Sequence, residues 1–140
     1  MNNKVNYDKN PELESEILRN VRDALNEDLG PTFPMFLNDN TKFKSIDLTG
    51  SIIEREKIGK AKVIGREDAI FCGKLWFEKV FNLLCKEVQI NWIIEDGETI
   101  QPESLICEIG GPIWAILAGE RTALNFIQTL SGTATSTSEL

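Results

Sequence analysis

Apolar residues in this chain of 140 residues switch repeatedly between helical spacing and strict alternation, and that switching limits the folds it can adopt more than any single motif does. Leu13, Ile17, Val21 and Leu25, with Leu18 and Ala24 beside them, recur every three to four positions. Asn10-Pro11-Glu12 supplies a helix start and Gly30-Pro31 a stop, so a helix is predicted over roughly 11–26. Lys60 to Ile64 alternates as a half-buried strand does, and Ala69 to Cys72 extends the sheet before Gly73. From Lys74 the period returns to helical, with Phe77, Val80, Phe81 and Leu84 on one face.

Val88, Ile90, Trp92 and Ile94 alternate again up to Asp96-Gly97, a pair favoured in tight hairpin turns; after Pro102, so do Leu105, Cys107 and Ile109. These two segments are expected to pair in one sheet. Gly110-Gly111-Pro112 is expected to break the strand and open a last helix, with Ile113, Ile116, Leu117, Leu124, Ile127 and Leu130 as a broad apolar surface. Residues 31–46, with two prolines and an Asn-Asp-Asn cluster, predict a long loop. The fold class is therefore α+β, an antiparallel-rich sheet with helices.

Composition removes several function classes. There is no histidine, so imidazole bases, Ser-His or Cys-His nucleophile pairs and His-ligated metals are excluded within the chain. The formal net charge of -7 opposes nonspecific binding to nucleic acid or anionic membrane. Cys72, Cys85 and Cys107 are odd in number, far apart and without a C-x-x-C; they are read as reduced core residues. No apolar run approaches the ~18 residues of a membrane helix, and Met1-Asn2-Asn3-Lys4 leads into polar sequence, so a cytoplasmic protein is expected.

The last helix carries the chemistry. At about 100° per residue, Arg121, Asn125 and Gln128 fall in one narrow stripe that Gly132 continues. An arginine embedded among core residues must find a carboxylate, a carbonyl or a ligand anion. Either a structural acid such as Glu120 or a bound anion would serve. Glu120 points about 100° away from Arg121, which makes a direct pair doubtful, and Asn125 and Gln128 suit helix-interface hydrogen bonds. Glu27, Asp28 and Asp47 are read as cap and turn residues, not metal ligands. The small, polar tail from Ser131 to Leu140 suits a frayed end or a helix packed closely against something outside these residues.

Gly119-Glu120-Arg121-Thr122-Ala123-Leu124-Asn125, continued by Ser131-Gly132-Thr133-Ala134-Thr135, resembles the E-R-T-A-L-N…S-G-x-A-T pattern of quinolinate phosphoribosyltransferases. Ala24-Leu25-x-Glu27-Asp28-Leu29-Gly30 resembles that family's A-L-x-E-D-L-G segment, Asp47-Leu48-Thr49 its D-x-T, and Asp96 to Ile100 its D-G-D-x-V hairpin. The resemblance runs from about residue 12 onward. It departs from the family at residues 31–46, where the family has a short connection and this chain an insertion.

The resemblance implies an α/β-hammerhead-like amino-terminal domain over 1–112. By the same resemblance, residues 113–140 are expected to form a helix leading toward a carboxy-terminal α/β barrel outside this chain. It also implies conversion of quinolinate and phosphoribosyl pyrophosphate to nicotinate mononucleotide, pyrophosphate and carbon dioxide. Mg²⁺ is implied as cofactor, bound outside this chain, and a homodimer or higher homo-oligomer as the assembly. By the resemblance Arg121 binds substrate in a neighbouring subunit's pocket; no residue here is assigned a catalytic role, and the 140 residues alone are expected to be inactive. Two other classes share features with the sequence. A biotinyl- or lipoyl-type carrier module has a similar hairpin, but no Met-Lys-Met or Asp-Lys-Ala occurs here; a non-catalytic interaction domain would use the apolar final helix.

Overall fold

The computed structural model describes residues 10–30, 45–48 and 51–138. Helix α1, Pro11–Leu29, starts as its sequence requires. The Asn10 Oδ1 accepts a hydrogen bond from the Leu13 N–H at 3.1 Å, and Pro11 occupies the first turn, where an N–H would have no helical partner. Ile17, Val21 and Leu25 are buried along one face. The helix ends a turn later than the expected 26, because Leu29 packs on the core and Gly30 closes the chain there through its N–H to the Asn26 carbonyl.

Strands β1 (Ser45–Leu48) and β2 (Ser51–Glu54) form a hairpin. Residues 45 and 46 of the expected loop thus belong to a strand, and the remainder of that loop lies outside the described residues. Strand β3 (Ile58–Ile64) is followed by β4 (Ala69–Ile70), helix α2 (Lys74–Leu84), β5 (Gln89–Trp92), β6 (Thr99–Ile100), β7 (Leu105–Pro112) and helix α3 (Ile113–Ser138). The principal sheet has the order β3-β7-β5, all antiparallel, while β4 pairs with β6. Alternation sorts its two faces: Val63, Cys107 and Ile109 are buried, whereas Lys60, Lys62, Gln89 and Asn91 face solvent. Helix α2 packs between α1 and α3, and Phe77, Val80, Phe81 and Leu84 join both helices to the sheet in one core.

Two expectations are corrected. Val88 to Ile94 does share a sheet with Leu105 to Ile109, with Ile90 opposite Ile109, but Asp96-Gly97 is not a two-residue turn between them, since β6 intervenes and pairs elsewhere. Asp96 instead caps α2. The residue at that helix start, Gly73, has no side chain to offer, and Asp96 Oδ1 accepts from the N–H groups of Gly73 at 3.1 Å and Lys74 at 3.2 Å. Secondly, Gly110-Gly111-Pro112 does not break β7: the three residues pair with Lys60, Gly59 and Ile58. Gly111 sustains the ladder at φ 146, where an added Cβ would stand 3.0 Å from the Val88 Cα. Helix α3 then starts at 113, where the sequence places it.

The tail is helical to Ser138, and Ser131 and Thr135 tie it to the Ile70–Cys72 segment. Ser131 Oγ accepts from the Cys72 N–H at 3.0 Å and donates to the Cys72 carbonyl at 3.1 Å, and Thr135 Oγ1 accepts from the Ile70 N–H at 2.9 Å. All three cysteines are free. Cys107 is fully buried, and burial pushes its thiol up to about 12, so it behaves as a small apolar side chain. Trp92 joins β5 to α2: its ring lies 5.2 Å from Phe77 and 5.5 Å from Phe71, and its Nε1 donates to Glu78 Oε1 at 2.7 Å.

Candidate functional site

Helix α3 is held on two flanks and open on a third side. Its inner surface is built of small or apolar residues, Ala115, Ile116, Ala118, Ala123 and Ile127, all buried. Trp114 at its start is also buried, with the Arg55 guanidinium 5.2 Å from its ring centroid. From Leu117 onward the opposite side is exposed, and Arg121, Asn125, Gln128 and Gly132 all lie on it, in the stripe that the helical angle predicts. Leu117 and Leu124, 44% and 40% exposed, flank them. The broad apolar surface expected of this helix therefore divides: Ile116 and Ile127 go to the core, and Leu117 and Leu124 stay outside.

Arg121 is not embedded in the core as its neighbours in sequence suggest. It is exposed, so its charge remains hydrated and needs no structural acid. Among the described residues it makes no hydrogen bond or ion pair, with Glu120 or with any other side chain. The next residue differs completely. Thr122 is 1% exposed, and its Oγ1 donates to Asp28 Oδ2 on α1 at 2.5 Å, across 94 positions of sequence. Sequence reasoning assigned Asp28 to a cap or turn and did not foresee this bond, although an acid in the last turn of a helix opposes the helix dipole and so signals an outside partner.

The chemistry this face offers is recognition: a planar, fully charged guanidinium presented to solvent on a rigid helix can take a carboxylate or phosphate in bidentate fashion. A separate groove of about 670 Å³ opens on the outer side of the sheet, with Lys60, Gln89, Asn91 and Glu108 along it. Arg121 is not part of that groove. Among the described residues no three acidic, cysteine or histidine side chains converge on one point. Nor is any helix among the described residues long and apolar enough to cross a membrane.

Likeness in three dimensions defines the class, an α+β domain of the kind found within nicotinate-nucleotide pyrophosphorylase chains. The enzyme of that name from Francisella tularensis superimposes with a TM-score of 0.68 at 33% identity, covering 95% of this chain and 40% of that one. The NadC structure from Streptococcus pyogenes gives 0.69 at 28% identity over 88% of this chain and 40% of the other. In sequence, the probable nicotinate-nucleotide pyrophosphorylase [carboxylating] of Bacillus subtilis is 39% identical over 93 residues, which are 66% of this chain and 32% of that protein. The family model of the quinolinate phosphoribosyl transferase N-terminal domain matches residues 47–131. The chain belongs to that family. It spans about a third of the length of the curated relatives it matches.

Proposed function

We propose that this domain is the amino-terminal part of an enzyme that converts quinolinate and phosphoribosyl pyrophosphate to nicotinate mononucleotide, pyrophosphate and carbon dioxide. One observation carries the reading. Arg121 is charged, exposed and without a partner among the described residues, yet it stands in the motif common to this family. A guanidinium kept free on a packed helix is available to an anion brought by another surface, and quinolinate brings two carboxylates. The catalytic barrel and its Mg²⁺ lie outside residues 1–140, and the distal part of α3 leads toward that barrel.

In this reading Arg121 binds quinolinate in the site of a neighbouring subunit within a homodimer or higher homo-oligomer. The flanking Leu117 and Leu124 support such an assembly, because apolar side chains beside a charge suit an interface with a polar pocket at its centre. Three free thiols fit a reducing compartment, and we place the enzyme in the cytoplasm.

The mechanism asks only binding of this chain. Removing one charged hydrogen-bonding partner from a buried substrate carboxylate costs about 2–5 kcal/mol, which is at least tens-fold in kcat/KM. In the complete enzyme Arg121→Ala should lose that much efficiency with quinolinate while melting stays near wild type, since an exposed side chain contributes little to folding. Arg121→Lys should recover little, because a single ammonium does not reproduce the fork. Subunits carrying Arg121→Ala, mixed with subunits inactivated in the barrel, should regain activity. Unchanged kinetics with quinolinate would remove Arg121 from the site.

A further inference from the structure

We infer that Asp28 is a positioning residue for Arg121, acting through Thr122; the inference rests on the reading of Arg121 as a quinolinate ligand. The starting point is a local conflict. Asp28 lies in the last turn of α1, beside Glu27 and with no basic residue in that turn, where the carbonyl end of the helix dipole disfavours negative charge. What it obtains there is the Thr122 hydroxyl at 2.5 Å, a charge-assisted bond that joins the end of α1 to the middle of α3.

The bond matters because of where Thr122 stands around α3. It is about 100° from Arg121 on one flank, while Ser131 lies about 80° away on the other. Ser131 is fixed by its two bonds to Cys72, and Thr135 by its bond to Ile70. Hydroxyl anchors on both flanks therefore set the rotation of the helix about its own axis. Buried Trp114, Ile116 and Ile127, with Phe81 and Leu84 seated against Gly119, hold the helix on the core; the hydroxyl bonds add a directional constraint at each flank, which non-directional apolar packing does not supply. A guanidinium held roughly 9 Å from the axis is carried about 1.5 Å by a turn of about 10°, and a misplacement near 1 Å is enough to cost up to ~100-fold in rate. Asp28 thus acts on substrate binding without touching substrate.

The test uses the complete enzyme and follows KM for quinolinate, KM for phosphoribosyl pyrophosphate and kcat. Asp28→Ala and Thr122→Val should each raise the quinolinate KM about tenfold, leave the phosphoribosyl pyrophosphate KM unchanged, and lose this effect in an Arg121→Ala background. Thr122→Ser, which keeps the hydroxyl, should restore wild-type KM; Asp28→Asn, a milder change that keeps an acceptor, should fall between and guards against misfolding of the alanine variant. The same fold-loss with and without Arg121, or no change in quinolinate KM when Arg121 is intact, would show a merely structural contact and overturn the inference. If Arg121→Ala alone leaves the quinolinate KM unchanged, the functional reading itself fails. If it raises KM while Asp28→Ala does not, only the positioning role fails.

Discussion

Gly119 offers a measurement of how closely α3 must seat on α2. A Cβ at this position would lie 2.8 Å from Phe81 Cε1, 2.9 Å from Leu84 Cδ1 and 3.1 Å from Phe81 Cδ1, inside the ~3.5–4.0 Å at which carbon atoms attract. Neither neighbour can retreat. Phe81 is 1% exposed and its ring is tilted against Phe77 with centroids 5.2 Å apart; Leu84 is 3% exposed. The two helices would have to separate by a sizeable fraction of an ångström, and overpacking of this kind costs about 1–3 kcal/mol. Opposing it, Gly→Ala within a helix gains about 1 kcal/mol of propensity.

Gly132, on the same helix, supplies the control, because a Cβ there meets nothing within 4 Å. Gly132→Ala should therefore show the full propensity gain, a rise in Tm of roughly 3–5 °C at this chain length. Gly119→Ala should show the gain minus the packing cost, and so melt lower than wild type. The propensity contribution cancels between the two variants. Their difference, about 1–3 kcal/mol in urea unfolding at constant m-value, isolates the cost of parting α2 from α3. Equal rises in Tm for both alanines would refute the close seating of α3.

The carboxyl of Asp96 is raised above the ordinary value of 3.8, mainly by burial, against the pull of the Lys74 and Gly73 N–H groups. The folded state then holds a proton that the unfolded chain has released, so stability from this group is greatest below 3.8 and declines as pH rises through its folded value. Asp96→Asn, which keeps the acceptor and removes the charge, should gain on wild type in urea midpoint as pH rises from about 4 to 7, whereas Asp96→Ala should cost about 1 kcal/mol by uncapping α2. An Asp96→Asn variant that loses ground over that range would contradict the burial argument. At the open face, Leu124→Glu should weaken self-association in sedimentation velocity without lowering Tm, and a wild-type chain that stays monomeric at high concentration would count against an interface there.

What the sequence disclosed and what it concealed divide along local and non-local lines. Helices α1 and α2 were legible because Asn10, Pro11 and the apolar periods act within a few residues of where they are read, and the pairing of β5 with β7 followed from alternation. Asp96 was misread for the opposite reason. Asp-Gly is a strong turn signal at short range, but here Asp96 is used across 22 and 23 positions, to cap a helix whose own N-cap residue is a glycine. Gly110-Gly111 likewise resembles a strand terminator, and only the approach of Val88 shows why glycine continues the ladder there.

The site was legible in angle and not in depth. The spacing of Arg121, Asn125, Gln128 and Gly132 fixed their common face, yet the apolar residues around them suggested burial on every side, because a linear sequence does not say which apolar side chains find a neighbour. Hydroxyls mark the edge of the buried face in three dimensions. Thr122, Ser131 and Thr135 are indifferent helix formers, so propensity gives no reason for them; each instead bonds to a particular group on another element. They add directional constraints to a rotation that buried Trp114, Ile116 and Ile127 already limit, and Arg121 is oriented with it. Apolar burial decides which side of the helix faces solvent, and the polar residues at the edge of the buried face couple the end of α1 and the Ile70–Cys72 segment to the orientation of one exposed guanidinium.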